Sequence, residues 1–346
     1  MVILLGRVDS QEIEQMSERV VGHASFADRL VADVAKPNEM LERVAALVDW
    51  RAVEGIVGCL RAGRMGAPGY PALTMFKALL LQQWFGLSDP ALEDQIADRL
   101  SFRRFLGLSL SDKTPDHATV WRFREDLGRS GLSGEAFAEI ERQIECSGLM
   151  LKQGTLIDAS LVPAAVNRPP PPPEMPPPDA DGRPASKLVR SPLDPDAAWT
   201  RKDGKYHFGY KIHVGLDLES RFIRRRCFTP ANINDSVPAD QLICGDERRV
   251  YADKAYDSRP RRLRLKAQGV GDGIMRRANR WHPLGRWEVV RNRLLVRRRA
   301  SIEPLFALLK NVYRLARARY RGLSRNAAHL DLAITAANLK RWTQLA

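Results

Sequence analysis

The sequence predicts a chain of two parts: an all-helical N-terminal domain over residues 1–150, then an α+β (α/β) domain over residues 151–346, a mixed β-sheet flanked by helices. Three observations carry this. Apolar residues recur at helical spacing before residue 150. After it, short β-branched and aromatic runs alternate with helical segments, as in a sheet covered by helices. Charge divides at the same place: residues 1–150 carry 17 Lys+Arg against 22 Asp+Glu, and residues 151–346 carry 38 against 19.

In the first part, Leu41, Val44, Leu47 and Val48 share one helix face, as do Val53, Ile56, Val57 and Leu60. Pro71 precedes a helix from Leu73 to Phe85 that Gly86 closes. Asp89-Pro90 reads as an N-cap followed by a first-turn proline, opening a helix through Leu92, Ile96, Leu100 and Phe105 to Gly107. A polar turn, Ser109 to Pro115, leads to a helix from Asp116 to Leu127 stopped by Gly128. Two helices joined by a short turn, the second bearing Thr119, Arg122 and Arg124, fit a helix-turn-helix reader of DNA. The alternative is that Val120, Trp121 and Phe123 simply pack this hairpin into a bundle.

In the second part, a strand ends at Asp158, and a Pro-rich stretch over residues 167–198 then interrupts the domain as a disordered loop. Two β-like segments, Tyr206 to Asp217 and Arg221 to Phe228, form a hairpin about Asp217-Leu218-Glu219-Ser220. A helix near Pro238 to Cys244, a strand Arg249 to Ala252, a helix Pro260 to Gln268 and a short strand Gly273 to Met275 follow. The last helices are placed at Ser301 to Tyr320 and Asn326 to Trp342. Pro304 is comfortable only in a first turn, which leaves Arg299 in the turn before its helix.

The net charge of +14 comes entirely from the second part, which carries +19 (38 − 19) against −5 (17 − 22) in the first, a balance that suits a polyphosphate partner because Lys and Arg displace condensed counterions. High Arg usage and binding to anionic membrane surfaces are the other sources of such a balance. No apolar run approaches the roughly 20 residues that span a bilayer, and the opening Met1-Val2-Ile3-Leu4-Leu5-Gly6 is too short for a signal-peptide core. The expectation is a cytoplasmic, nucleoid-associated protein. Cys59, Cys146, Cys227 and Cys244 are scattered and read as small buried hydrophobes rather than zinc ligands or a disulfide framework.

Three carboxylates stand out against this basic half: Asp158 in Thr155-Leu156-Ile157-Asp158-Ala159-Ser160, Asp253 in Val250-Tyr251-Ala252-Asp253-Lys254-Ala255-Tyr256, and Glu303 in Ala300-Ser301-Ile302-Glu303-Pro304. Both aspartates follow buried-looking strands, and an acid beside a buried strand is unfavourable unless a cation compensates it. Converging, the three would form an oxygen-only site for Mg²⁺ or Mn²⁺, pointing to metal-assisted phosphoryl transfer on nucleic acid. Singly, each has a plainer reading: a strand-end cap, a turn acid, and a first-turn acid favoured by the helix dipole.

These motifs resemble the DDE transposases of bacterial insertion sequences, specifically the large insertion-sequence-five group with an InsH-like N-terminal domain. In that family Glu lies in a signature of Tyr, two residues, Arg, three residues, Glu, six residues, Lys. Arg299, Glu303 and Lys310 match its last three positions, and Val296 stands where the signature has Tyr. Asp253-Lys254-Ala255-Tyr256 matches the second-Asp motif and Leu156 to Ser160 the first, so the resemblance spans residues 65–342. It implies an RNase H-like core in which Asp158, Asp253 and Glu303 bind two Mg²⁺ (or Mn²⁺) ions per active site, with Asp158 bridging them. It also implies binding to terminal inverted repeats, hydrolysis at the transposon end, and attack of the freed 3′-hydroxyl on target DNA, within a homodimer or higher synaptic assembly on double-stranded DNA. A structure-specific metal-dependent nuclease and an inactive DNA-binding relic are the alternatives.

Residues four and seven apart share a helix face, so a continuous helix would put Arg299 and Lys310 beside Glu303. With Lys254 and the run Arg224-Arg225-Arg226, they are expected to hold backbone phosphates, as are Arg314, Arg317, Arg319 and Arg321. His207 and His213, six apart on one strand, read as solvated or packed rather than metal-binding. Trp281 with His282 reads as loop packing, or as an aromatic that stacks on a flipped base.

Overall fold

The computed structural model describes residues 18–23, 26, 28, 37–60, 68–166, 190–191, 193–202, 204–278 and 283–346. Two compact units result, one within Met1–Gln143 joined by Thr335–Gln344, the other within Ile144–Ile334. The end of the last helix belongs to the first unit. The polyproline stretch and Trp281-His282 fall outside the described residues.

The first unit contains helices α1 (Glu39–Leu47), α2 (Trp50–Val57), α3 (Ala72–Phe85), α4 (Asp89–Asp98), α5 (Leu100–Leu106), α6 (His117–Ser130) and most of α7 (Leu132–Cys146). α3 is apolar all round and accordingly buried on every side, with Met75, Phe76, Leu79, Leu80 and Leu81 forming the core. Gly86, at φ 60°, terminates it as expected. The helix after Gly86 differs from the sequence reading in two ways. Ser88 rather than Asp89 caps it, by accepting from the Ala91 N–H, and it breaks at Arg99 instead of running to Gly107. Asp89 is engaged elsewhere, as described below. α6 begins under its Asp116 cap, passes Gly128, and stops at Gly131.

The second unit is built on a sheet of strands β1 (Thr155–Pro163), β2 (Arg190–Ser191), β3 (Asp194–Lys202), β4 (Lys205–Asp217), β5 (Ile223–Pro230), β6 (Arg249–Ala252) and β7 (Gly271–Ile274), in the order β2-β3-β4-β1-β6-β7 with β5 also on β4. β1 is antiparallel to β4 and parallel to β6, which is parallel to β7. The sheet is therefore mixed, as expected. The Pro-rich stretch was expected to reach residue 198, but β3 starts at Asp194 and pairs Ala198 with Gly209. Alternating Asp and Pro concealed this strand. Ala197, Ala198 and Trp199 are buried in it, and the Tyr210 hydroxyl donates to Asp194 at 2.7 Å.

Helices α8 (Arg259–Ala267), α9 (Arg286–Arg299), α10 (Glu303–Asn311) and α11 (Leu323–Leu345) complete the chain. α9 was not anticipated. Its apolar residues point to several sides, leaving Trp287, Val290, Leu294 and Val296 exposed, so no amphipathic stripe announces it. One core cluster joins Ile157 of β1 to Val250 and Ala252 of β6, Ile274 of β7, Leu265 of α8, Tyr256, and Ala239 and Leu242 of a 3₁₀ turn. Burial of each large aliphatic contributes about 1.5–3 kcal/mol, which anchors the neighbouring ends of β1 and β6.

Candidate active site

The parallel register pairs Leu156 with Tyr251. Side chains return to the same face every second residue, so two steps on, Asp158, inside β1, which runs on to Pro163 instead of ending at the acid, and Asp253, just past the end of β6, emerge on one side. Asp253 leaves the strand as the cap of a 3₁₀ turn, Lys254–Tyr256, accepting from the Lys254 N–H at 2.6 Å. Asp158 accepts from the Ala159 N–H at 2.8 Å.

Both carboxylates face one guanidinium. Arg299 Nη2 lies 3.2 Å from Asp158 Oδ2, and Arg299 Nη1 lies 3.6 Å from Asp253 Oδ1. Burial pushes the Asp158 carboxyl up, and the negative charges of Asp253 and Asp235 add to this. The Ala159 N–H and Arg299 pull it back down. A pair of acids that repel each other and share one cation has the character of a site for a hard, doubly charged ion.

Arg299 is the last residue of α9, rather than part of a turn. The chain then tightens into the 3₁₀ turn Ala300–Ile302 and resumes as α10 at Glu303, with Pro304 in the first turn. This short 3₁₀ segment accommodates Pro304, whose missing N–H would break a continuous α-helix. The Arg221 guanidinium donates to the Ser301 carbonyl, and Ser301 Oγ donates to the Arg298 carbonyl at 2.8 Å, fixing the bend.

Glu303 is exposed and forms no ion pair with any described residue. The three acids are thus not gathered into one tight cluster. Among the described residues, the group whose ligand atoms lie within 4.8 Å of one another is Cys244, Asp246 and Glu247. That group already holds cations: Lys152 Nζ lies 2.7 Å from Asp246, and buried Arg224 contacts both acids. We read it as an ion-pair network.

Several expected phosphate contacts are placed otherwise. Arg224 is 1% exposed and paired with Asp246 at 2.8 Å. Arg225 Nη1 donates to the Arg224 carbonyl, and Arg226 Nε lies 2.7 Å from Asp331. Consecutive strand residues alternate faces, so a run of three arginines cannot form one surface. Arg124 is buried on α6, its guanidinium bound to Asp89 and Gln82, and is unavailable to DNA. Its neighbour Arg122 is exposed, as is Trp121, while Val120, Phe123 and Leu127 are buried. Arg317 donates to the carbonyls of Ala164, Ala165 and Val166 and so secures the chain after β1. Lys254, Arg314 and Arg321 are exposed. Arg319 lies over the Tyr320 ring at 5.7 Å. Lys310 is half-buried, and that burial, with Lys202 nearby, lowers its pKa.

His213 is buried beside Thr229 Oγ1 at 2.9 Å, and burial depresses its pKa to about 4. It is a packed, neutral histidine. His207 lines a cavity with Tyr206, Phe208 and Arg317. The cysteines differ from expectation: Cys59 and Cys146 are exposed, Cys227 and Cys244 half-buried, and none forms a disulfide.

Two residues near the aspartates were missed. Asp235 is paired with Lys211 Nζ at 2.8 Å, and its charge reaches Asp158. Tyr256 is 1% exposed, its hydroxyl has no hydrogen-bond partner among the described residues, and the charges of Asp158, Asp235 and Asp253 raise its pKa further beyond the effect of burial. A signal existed for each: Asp235 sits in the polar run Asn232-Ile233-Asn234-Asp235-Ser236 after β5, and Tyr256 lies three residues past Asp253.

Comparison with known families bears on the whole arrangement. The family described as Transposase DDE domain matches residues 150–339. The chain belongs to the DDE transposases. The family described as Transposase domain (DUF772) matches residues 29–126, which gives the pairing of domains of the insertion-sequence-five, InsH-like group. No solved structure matches the chain. A DDE transposase is a phosphoryl-transfer enzyme of DNA transposition that binds DNA and uses divalent metal. The helical first unit and the mixed sheet with its helices agree with an RNase H-like DDE domain. Among the described residues no helix is long and apolar enough to cross a membrane.

Proposed function

We propose that this transposase binds the terminal inverted repeats of its element, hydrolyses the phosphodiester at each end, and joins the freed 3′-hydroxyl to target DNA. Asp158, Asp253 and Glu303 are the residues that would hold Mg²⁺ (or Mn²⁺), two ions per site. The observation that carries this is the convergence of Asp158 and Asp253, from separate strands, on Arg299, one helical turn before Glu303. The donor set fits the group: carboxylate oxygens suit hard divalent ions, and no sulfur or imidazole lies among them. Bound there, such ions supply the Lewis acidity that in-line displacement at phosphorus requires.

The chain's own residues then have definite tasks. The backbone N–H groups of Ala159 and Lys254 hold the two aspartates in place. Glu303, exposed and unpaired, completes the donor set from α10. Arg299 and exposed Lys254 place backbone phosphates, which orients DNA without reading its sequence. Arg122 on α6 is the candidate for contacts from the first unit. We place the protein in the cytoplasm on the nucleoid, acting as a homodimer or higher synaptic assembly.

The test is a strand-transfer assay with Mg²⁺ on short duplexes carrying the element's own ends. Nicked and joined products are expected, both lost in Asp158→Asn and Glu303→Gln. Nicks without joining would indicate a nuclease, and no metal-dependent product would leave a DNA-binding relic.

A further inference from the structure

Arg299 is held more loosely than the closely paired arginines Arg226 and Arg261 of its unit. Full-strength charge-assisted contacts lie at about 2.7–2.9 Å, and both Arg226 to Asp331 and Arg261 to Asp240 reach 2.7 Å. Arg299 stays at 3.2 and 3.6 Å from its two aspartates. Its remaining contact is the soft sulfur of Met275 at 3.7 Å, and its Nε is buried without a partner. A guanidinium has five donors, and here most of them are poorly used. Its positive charge compensates the acids, but its geometry does not lock onto them.

The backbone around it is firm. Arg221 donates to the Ser301 carbonyl and Ser301 Oγ donates to the Arg298 carbonyl at 2.8 Å, so the backbone on both sides of Arg299 is tied down. Displacing the guanidinium therefore requires rotation of one side chain and no movement of α9.

We propose that Arg299 is the free protein's resident cation: it occupies the space between Asp158 and Asp253 and competes with divalent metal for them. This rests on the two-aspartate metal reading above and adds a property to it. Metal loading must expel Arg299, which then offers its planar fork to a phosphate. Until then, one positive charge partly compensates the two aspartates without a metal ion. Glu303, which has no such counter-ion, remains apart.

The experiment uses full-length, DNA-free protein titrated with Mn²⁺, with free Mn²⁺ read by electron paramagnetic resonance. An opposite charge at this distance shifts a carboxylate's proton affinity by about ten- to a thousandfold. Removing it should therefore tighten Mn²⁺ binding by about tenfold or more in Arg299→Gln. Arg299→Lys, which keeps the charge, should stay close to the wild type. Arg299→Met carries the same expectation as the Gln variant should that one fail to fold, as judged by circular dichroism. Saturable binding that is unchanged or weaker in the neutral variants would overturn the competition alone, as would an Arg299→Lys protein as tight as Arg299→Gln. No saturable binding to any of the proteins would overturn the metal site and the competition together.

Discussion

Replacing Arg224 by Met separates two roles that the sequence cannot distinguish, phosphate contact and buried ion pair. Arg224 is 1% exposed, with Nη2 2.8 Å from Asp246 and Nη1 3.8 Å from Glu247. Asp246 is largely solvated and retains Lys152 at 2.7 Å, so losing Arg224 affects it little. Glu247 is the vulnerable partner, because its side chain is fully buried and one carboxylate oxygen has no hydrogen-bond partner among the described residues, while the other accepts from the Gly245 N–H. Breaking a buried pair from one side costs about 3–5 kcal/mol. Burial already raises the Glu247 carboxyl from its usual 4.5, and its own backbone N–H, the Arg224 charge and the Gly245 N–H pull it back down. Without Arg224 the acid takes up a proton in the folded protein, and the stability relative to wild type then depends on pH. A folded-state pKa above the unfolded value imposes no penalty below about pH 4.5 and a growing one as pH rises toward the folded value. Urea unfolding of the two proteins at pH 5 and pH 8 should therefore give a larger difference at pH 8, and Glu247→Gln in the same chain should recover part of it. A variant as stable as wild type, whose DNA affinity falls with a salt slope shallower by about 0.9, would refute the burial argument and restore Arg224 as a phosphate contact.

The same logic applies on α6: Arg124→Ala should destabilise the protein by about 3–5 kcal/mol through loss of its buried ion pair with Asp89, whereas Arg122→Ala should leave urea stability unchanged and weaken DNA binding in a filter or anisotropy assay. His213→Gln should flatten the acid limb of stability. The native histidine is depressed from 6.5 to about 4, so its contribution is intact above pH 6.5 and is lost as pH falls toward 4, by at most about 3 kcal/mol. Asp253→Asn and Glu303→Gln should each lower Mg²⁺-dependent cleavage by about a thousandfold or more, a barrier increase of about 4 kcal/mol, with the fold unchanged by circular dichroism.

What could be read from the sequence, and what could not, follows from the kind of signal each feature has. Buried runs ending in an acid, Thr155 to Asp158 and Val250 to Asp253, are local patterns, and both became adjacent parallel strands. The spacing of Arg299, Glu303 and Lys310 on the chain is also local, and it placed a basic helix just past residue 300. Partner choice is not local. Asp89 looked like a cap until Arg124 arrived from another helix, and the three arginines of β5 looked alike until the sheet sent them to different surroundings. Lys211 and Asp235 were invisible as a pair because they come from β4 and the loop beyond β5. The α9 helix was hidden for the opposite reason: it buries little besides Leu295, so no periodicity betrays it.

Crystals of the full chain bound to duplex DNA and Mn²⁺, with the ions located by anomalous scattering, test the central claim most directly. The account predicts Mn²⁺ bound by the carboxylates of Asp158, Asp253 and Glu303, with Arg299 turned away from the aspartates. Mn²⁺ seated at Asp246 and Glu247 instead, or Glu303 remote from an ion that both aspartates bind, would contradict it.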